Sequence, residues 1–161
     1  MEKLFKSTRG NQTPIDFYTS ILQGIASDGG LLVPDFDFEK KNLEELLSLN
    51  YVDLATEIIS TFAPSDAKEA LHTACNQAYG EGLFCDEVVP LKKAGNVYVA
   101  ELYQGPTAAF KDMALSMLPR MMTLSLKKKG EEREVMILAA TSGDTGKAAL
   151  EGFKDVEGTC I

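Results

Sequence analysis

The chain has 161 residues, of which 45% are apolar and 25% charged, a composition that excludes a disordered or fibrous protein and is long enough for a sizeable core. Sixteen Lys and Arg against 24 Asp and Glu leave a net charge of −8, which argues against duplex nucleic acid as a partner. The longest apolar run, Val135 to Ala140, is far too short to span a bilayer, and Glu2, Lys3, Lys6 and Arg9 leave no apolar signal core. No membrane partner and a cytoplasmic location are therefore expected.

Cys75, Cys85 and Cys160 are irregularly spaced and read as reduced thiols. His72 and Cys75 have a spacing open to metal ligation, but no CxxC exists and His72 is the one histidine, so no metal site is expected.

Thr13-Pro14-Ile15-Asp16 reads as a helix start with Thr13 as N-cap, and the helix is expected to run to Ala26 with a stripe of Phe17, Ile21, Leu22 and Ile25. Asp28-Gly29-Gly30 turns the chain into an extended Leu31-Leu32-Val33. Asn42 and Asn50 each cap a further helix, the second with Leu54, Ile58, Ile59 and Phe62 on one side. Another helix begins near Ser65, carries Ala67, Ala70, Leu71, Ala74 and Ala78, and ends at Gly80 and Gly82.

The second half changes character. Val97 to Leu102 has strand propensity, and Gly105-Pro106-Thr107 is a turn. Lys111 to Lys128 predicts one helix with a Met-rich core face and a kink at Pro119. Val135 to Ala140 has the unbroken apolar pattern of a parallel strand buried on both faces. A loop, Thr141 to Gly146, leads into a helix from Lys147 to Phe153, and Thr159-Cys160-Ile161 starts another strand. The fold class is therefore α/β: a helical domain over residues 1–94, then over 95–161 the beginning of a doubly wound parallel sheet. That sheet reads as truncated, so self-association through exposed sheet edges is expected.

Two segments carry chemistry. Lys111 follows the aromatic Phe110 at a predicted helix start. A helix N-terminus disfavours a cation, and a Schiff-base nucleophile needs its free amine there; an exposed surface lysine is the commoner fate of this residue type. The Thr141–Gly146 loop offers glycine backbone, the hydroxyls of Thr141, Ser142 and Thr145, and a helix N-terminus at the carboxyl end of a strand. These features suit an anion site, with a plain turn as the alternative. The Walker A pattern fails, since Thr141 stands where its first Gly belongs.

Four blocks together resemble the N-terminal third of the threonine synthase family. They are Ser7-Thr8-Arg9-Gly10; Leu22 to Leu31 with Val33-Pro34; Glu101-Leu102 with Gly105-Pro106-Thr107 and Ala109-Phe110-Lys111-Asp112; and Ala140 to Gly146. The last block alone suggests the wider group of fold type II enzymes that use pyridoxal 5'-phosphate. The resemblance implies that Lys111 holds this cofactor as a Schiff base, with Phe110 and Asp144 also at the cofactor, Asp144 facing its phenolic oxygen. It implies that Thr141, Ser142, Gly143 and Thr145 hold the substrate carboxylate. The implied reaction converts O-phospho-L-homoserine and water to L-threonine and phosphate. Gln104 stands where many family members have His, and Lys147 where a small residue is common. The family is several hundred residues long and its cofactor-phosphate loop lies beyond Ile161, so the chain reads as a fragment, inactive and without cofactor by itself. Two alternatives stand beside this reading: an O-phosphohomoserine phospho-lyase and a non-catalytic partner-binding module of the same fold.

Overall fold

A computed structural model describes residues 3–85 and 87–161. The chain opens on β1 (Leu4–Ser7), whose alternation buries Phe5 and Ser7 and exposes Lys6. This strand is the centre of an antiparallel sheet, flanked by β2 (Ile15–Asp16) and β3 (Leu32–Pro34), with Phe5 opposite both Ile15 and Pro34.

Pairing of Ile15 and Asp16 moves the first helix. Its expected start at Thr13 is corrected: α1 (Phe17–Gln23) is capped by Asp16, whose carboxylate accepts from the N–H groups of Tyr18 and Thr19. The helix ends at Gln23 rather than Ala26, and Ile25, 62% exposed, is no part of its buried stripe. Phe17 and Tyr18 are the buried aromatics.

The asparagine caps stand as read. Asn42 caps α2 (Leu43–Leu47), and Asn50 caps α3 (Tyr51–Ser60) while its amide donates to Asp53. The stripe of α3 is rotated from its expected position. Val52, Ala55, Ile59 and Phe62 pack on the core with Thr56 buried, whereas Ile58 is 44% exposed. A 3-10 turn (Ser65–Ala67) leads into α4 (Lys68–Tyr79), which buries Leu71, Ala74, Cys75 and Ala78 and stops at Gly80. His72, on the other side of α4, meets Asp53 of α3 at 3.0 Å.

Val97 to Leu102 does not enter a parallel sheet, contrary to expectation. It forms β5 (Val97–Ala100), the second arm of an antiparallel hairpin with β4 (Leu91–Ala94), and all of both strands is exposed. The expected 94/95 boundary falls in the tight turn of this hairpin.

One long helix from Lys111 to Lys128 is likewise corrected to two. α5 (Asp112–Leu115) and α6 (Leu118–Lys129) are separated at Ser116-Met117, and Pro119 sits in the first turn of α6, where its missing N–H costs nothing. α6 closes at Gly130, which takes the left-handed conformation (φ 65°). Met117 is buried in the core formed by Phe5, Phe17, Leu71 and Cys75, and Met121 and Leu124 pack against it, so residues on both sides of the hairpin share one core. Each lysine at the end of α6 pairs with a different segment: Lys127 with Glu157, Lys128 with Asp66 and Lys129 with Asp16.

The expected parallel pairing is present but short. β6 (Val135–Met136) and β7 (Thr159–Cys160) run parallel, joined across α7 (Asp144–Phe153), and the Ile137 N–H extends the ladder to the Cys160 carbonyl at 2.7 Å. The strand stops four residues before Ala140, and Leu138 is 89% exposed, so this run is not buried on both faces. α7 begins at Asp144, a turn earlier than expected, and buries Ala148, Ala149 and Phe153. No helix among the described residues is long and apolar enough to cross a membrane.

Candidate functional site

The two segments singled out in the sequence meet through α5 and α7. A Cβ on Gly152 of α7 would overlap the Leu115 carbonyl at the end of α5, so the two helices approach at backbone distance. Arg120 bridges the same contact: its guanidinium donates to the Ser116 carbonyl at 2.9 Å and the Gly152 carbonyl at 3.1 Å. Burial pulls the pKa of this guanidinium down from its ordinary value.

Lys111 is half-buried at the start of α5, with its amine 4.8 Å from the centre of the Phe110 ring. That ring is itself 60% exposed. The turn before it is tightly bonded. Asp112, 2% exposed, accepts from the Thr107 N–H at 2.8 Å and the Thr107 hydroxyl at 2.6 Å. Gln104 donates to the Glu101 carboxylate at 2.9 Å, so an amide occupies the position where the family resemblance expects an imidazole. The same carboxylate raises the pKa of Tyr103 through a hydrogen bond.

In the second segment the Thr141 hydroxyl accepts from the N–H groups of Gly143 at 3.1 Å and Gly146 at 2.9 Å. This folds the loop around its own side chain. Gly143 has φ 147° and ψ −82°, a conformation that L residues rarely adopt. Gly143 and Thr141 are therefore engaged in shaping the loop. Ser142, Asp144 and Thr145 make no side-chain hydrogen bond among the described residues and remain open to a ligand, on the exposed or half-exposed rim of α7. Lys147 of α7 reaches back to the first segment, donating to the Thr107 carbonyl at 2.7 Å. Sequence reasoning noted Lys147 only as a departure and missed this tether. It also missed the role of Asp112, although the Thr107-to-Asp112 spacing was in plain view.

The first two motif blocks meet elsewhere. Ser7 donates to Asp28 at 2.6 Å, the N–H groups of Gly30 and Asn11 donate to the same carboxylate, and Arg9 caps the Asp28 carbonyl at 2.9 Å. The Ser7 hydroxyl, then the Gly30 N–H, hold Asp28 below the usual carboxylate range. This latch ties β1 to the turn before β3 and lies apart from Lys111 in the chain.

Three clefts lie elsewhere. One of about 600 Å³ lies between α3 and α4 against Asp53, Glu57, Glu69 and His72, and none of these three is lined by Lys111 or the Thr141–Gly146 loop. The groups at hand are a primary amine against the Phe110 ring at the start of α5 and, at the start of α7, a carboxylate and hydroxyls without side-chain partners among the described residues. This set fits the aldehyde and ring of pyridoxal phosphate, which need an amine, a flat apolar contact and polar groups at the ring edge.

Comparison with known proteins shows what this mixed helix and strand fold is similar to. The family described as threonine synthase N terminus matches residues 4–79. Threonine synthase from Pseudomonas aeruginosa is 43% identical over 154 residues, which cover 92% of this chain and 32% of that protein. Human threonine synthase-like 1 is 38% identical over 143 residues, covering 85% of this chain and 19% of that protein. The crystal structure of pyridoxal-phosphate-bound threonine synthase from Brucella melitensis superimposes with a TM-score of 0.88 at 35% identity, covering 99% of this chain and 34% of that one. Threonine synthase from yeast gives 0.85 at 30% identity, covering 99% and 35%. Residues 4–79 thus match the N-terminal region of threonine synthases, the whole chain is similar to their N-terminal portion, and it spans about a third of the length of the threonine synthases it matches.

Proposed function

We propose that the chain contributes the cofactor-holding lysine and one substrate loop to a threonine synthase, which converts O-phospho-L-homoserine and water to L-threonine and phosphate. The observation that carries this reading is the junction of α5 and α7. It joins the turn bearing Lys111 to the Thr141–Gly146 loop through Lys147 and the Gly152 contact. Similarity to a threonine synthase described as bound to pyridoxal phosphate supports the choice of cofactor.

Bound at Lys111, pyridoxal phosphate would supply an electron sink for carbanions at the substrate's Cα and Cβ. Lys111 Nζ would hold it covalently, and Phe110 would offer the ring an apolar contact. Asp144, at the start of α7, would bind the polar edge of the cofactor. Ser142 and Thr145, with unengaged hydroxyls, would donate to the substrate carboxylate, while Thr141 keeps the loop folded. The Lys111 amine, when not bonded to the cofactor, would be the group placed to take the Cα and Cβ protons and return protons to carbon. The Cγ–O bond would break to release phosphate, a proton lost from Cβ would be made up at Cγ, and water would give its hydroxyl to Cβ and its remaining proton to phosphate.

Borohydride reduction of the full-length enzyme with pyridoxal phosphate, followed by peptide mapping, tests the assignment. The reduced pyridoxyl group is expected on Lys111, and a label on Lys128, Lys129 or Lys147 instead sinks it. Lys111→Ala in the full-length enzyme is expected to abolish threonine formation, since no other amine can take the covalent role. Analysis of the organic product separates threonine from the 2-oxo acid that a phospho-lyase would release.

A further inference from the structure

Thr107 is held through all of its polar groups. Its N–H and hydroxyl donate to separate oxygens of Asp112 at 2.8 and 2.6 Å, and its carbonyl accepts from Lys147 at 2.7 Å. Among the described residues the Asp112 carboxylate has no other hydrogen-bond partner, and no cation pairs with it. A carboxylate 2% exposed and without a cation is costly to keep, and here both oxygens serve one residue.

The chain between these two residues forms an arch whose ends the Asp112 side chain joins. Ala108, within the arch, has φ +56°, a left-handed conformation that an L residue adopts only where its surroundings impose it. Gly105 at the arch's entry has no room for a side chain: a Cβ would lie 2.6 Å from both Cβ and Oδ2 of Asp112. Lys111 is the residue immediately before the lock. With Asp112 fixed by its side chain and Phe110 carried on the strained arch, the backbone of Lys111 has little freedom to turn.

We propose that Asp112 and Lys147 are positioning residues. Together they clamp Thr107, hold the arch of residues 105–112, and set the direction of the Lys111 amine relative to α7 and its loop. The functional meaning of the clamp rests on the reading of Lys111 given above, whereas the clamp itself can be tested without cofactor.

The test is competitive trace acetylation of the cofactor-free protein. The rate at Lys111 is read by mass spectrometry against Lys92 and Lys93 on the exposed strand β4. Thr107→Val removes the hydroxyl and keeps the shape, and Lys147→Met removes the tether from an exposed side chain. Each is expected to change the relative rate at Lys111 by a factor of about three to ten, the span of one net hydrogen bond. Asp112→Asn should do the same, with circular dichroism as a check on folding, and Thr107→Ser should restore the wild-type rate. An unchanged Lys111 rate in both Thr107→Val and Lys147→Met overturns the clamp, even if Asp112→Asn fails to fold. Failure of Thr107→Ser to restore the rate also counts against it. If borohydride mapping places the cofactor on another lysine while these rates shift as expected, the functional reading falls and the clamp stands.

Discussion

Lys111 derives its setting from its neighbours rather than from its own contacts. The ring of Phe110 lies under its amine, and the next residue, Asp112, is locked into the turn that precedes both. Asp144 presents the opposite case. It stands at the first position of a helix, where a carboxylate is favoured by the dipole, yet no side-chain partner among the described residues occupies it. A residue there for the helix alone would be replaceable. In a full-length threonine synthase carrying this chain, Asp144→Ala is therefore expected to keep the fold while lowering turnover by about 10²–10³, the usual cost of removing one electrostatic contact to a reacting group. Steady-state kinetics alongside a thermal melt reads both effects, and wild-type turnover in the variant would reduce Asp144 to a turn residue.

At the scale of elements, local chemistry was legible and non-local chemistry was not. Asn42, Asn50 and Gly80 mark helix ends because a cap is settled within a few residues. The strand β4 was invisible because Lys92 and Lys93 interrupt its pattern, and its pairing with Val97–Ala100 is decided by the turn between them. The apolar run from Val135 does pair in parallel, but exposure of Leu138 depends on what covers a face, which no periodicity records. Asp16 was legible as acidic first-turn character and misread as following a cap, because β pairing of Ile15 was not foreseen. Of the candidate site, the chemical groups were readable from motifs; the Thr107 bonds that join its halves were not.

Two expectations follow for these elements. Burial raises the Asp16 carboxyl, but hydrogen bonds from Lys129 and Thr19 outweigh it and bring the pKa down to about 2 from 3.8. The folded pKa lies below the unfolded one, so Asp16 stabilises fully above pH 4 or so and loses its contribution as pH falls towards 2. After discounting for its partial exposure, that contribution is about 1 kcal/mol, to which the lost N-cap adds about 1 kcal/mol in Asp16→Ala. Urea titrations at pH 7 and pH 2.5 are expected to show a gap between wild type and Asp16→Ala that narrows in acid; a gap independent of pH would contradict the ion-pair account. Gly152→Ala forces a Cβ against the Leu115 carbonyl, where backbone must give way on both sides. A loss of about 1–3 kcal/mol is expected by chemical denaturation, and an unchanged midpoint would mean that α5 and α7 can separate at no cost.

On the scale of the whole molecule, apolar side chains are exposed along much of the chain, and some of them flank strand edges. Met136, Leu138 and Leu150 lie exposed around the short parallel pair and α7, and Val97, Tyr98 and Val99 are exposed along the hairpin. Neither the two strands β6 and β7 nor the hairpin has a third partner among the described residues, so their outer edges present unpaired backbone groups. Edges flanked by apolar side chains are templates for another chain, and the net charge of −8 opposes association only weakly at physiological salt, where screening acts within about 8 Å. We expect the 161-residue chain to self-associate with rising concentration, through edge pairing of β6–β7. Leu138→Lys, which places a charge beside that edge without touching the core, should shift the distribution towards monomer, whereas His72→Gln, remote on α4, should not. Light scattering across a concentration series reads the difference. A chain that stays monomeric at high concentration, or one whose association ignores Leu138→Lys, would show that this edge is not the surface that associates.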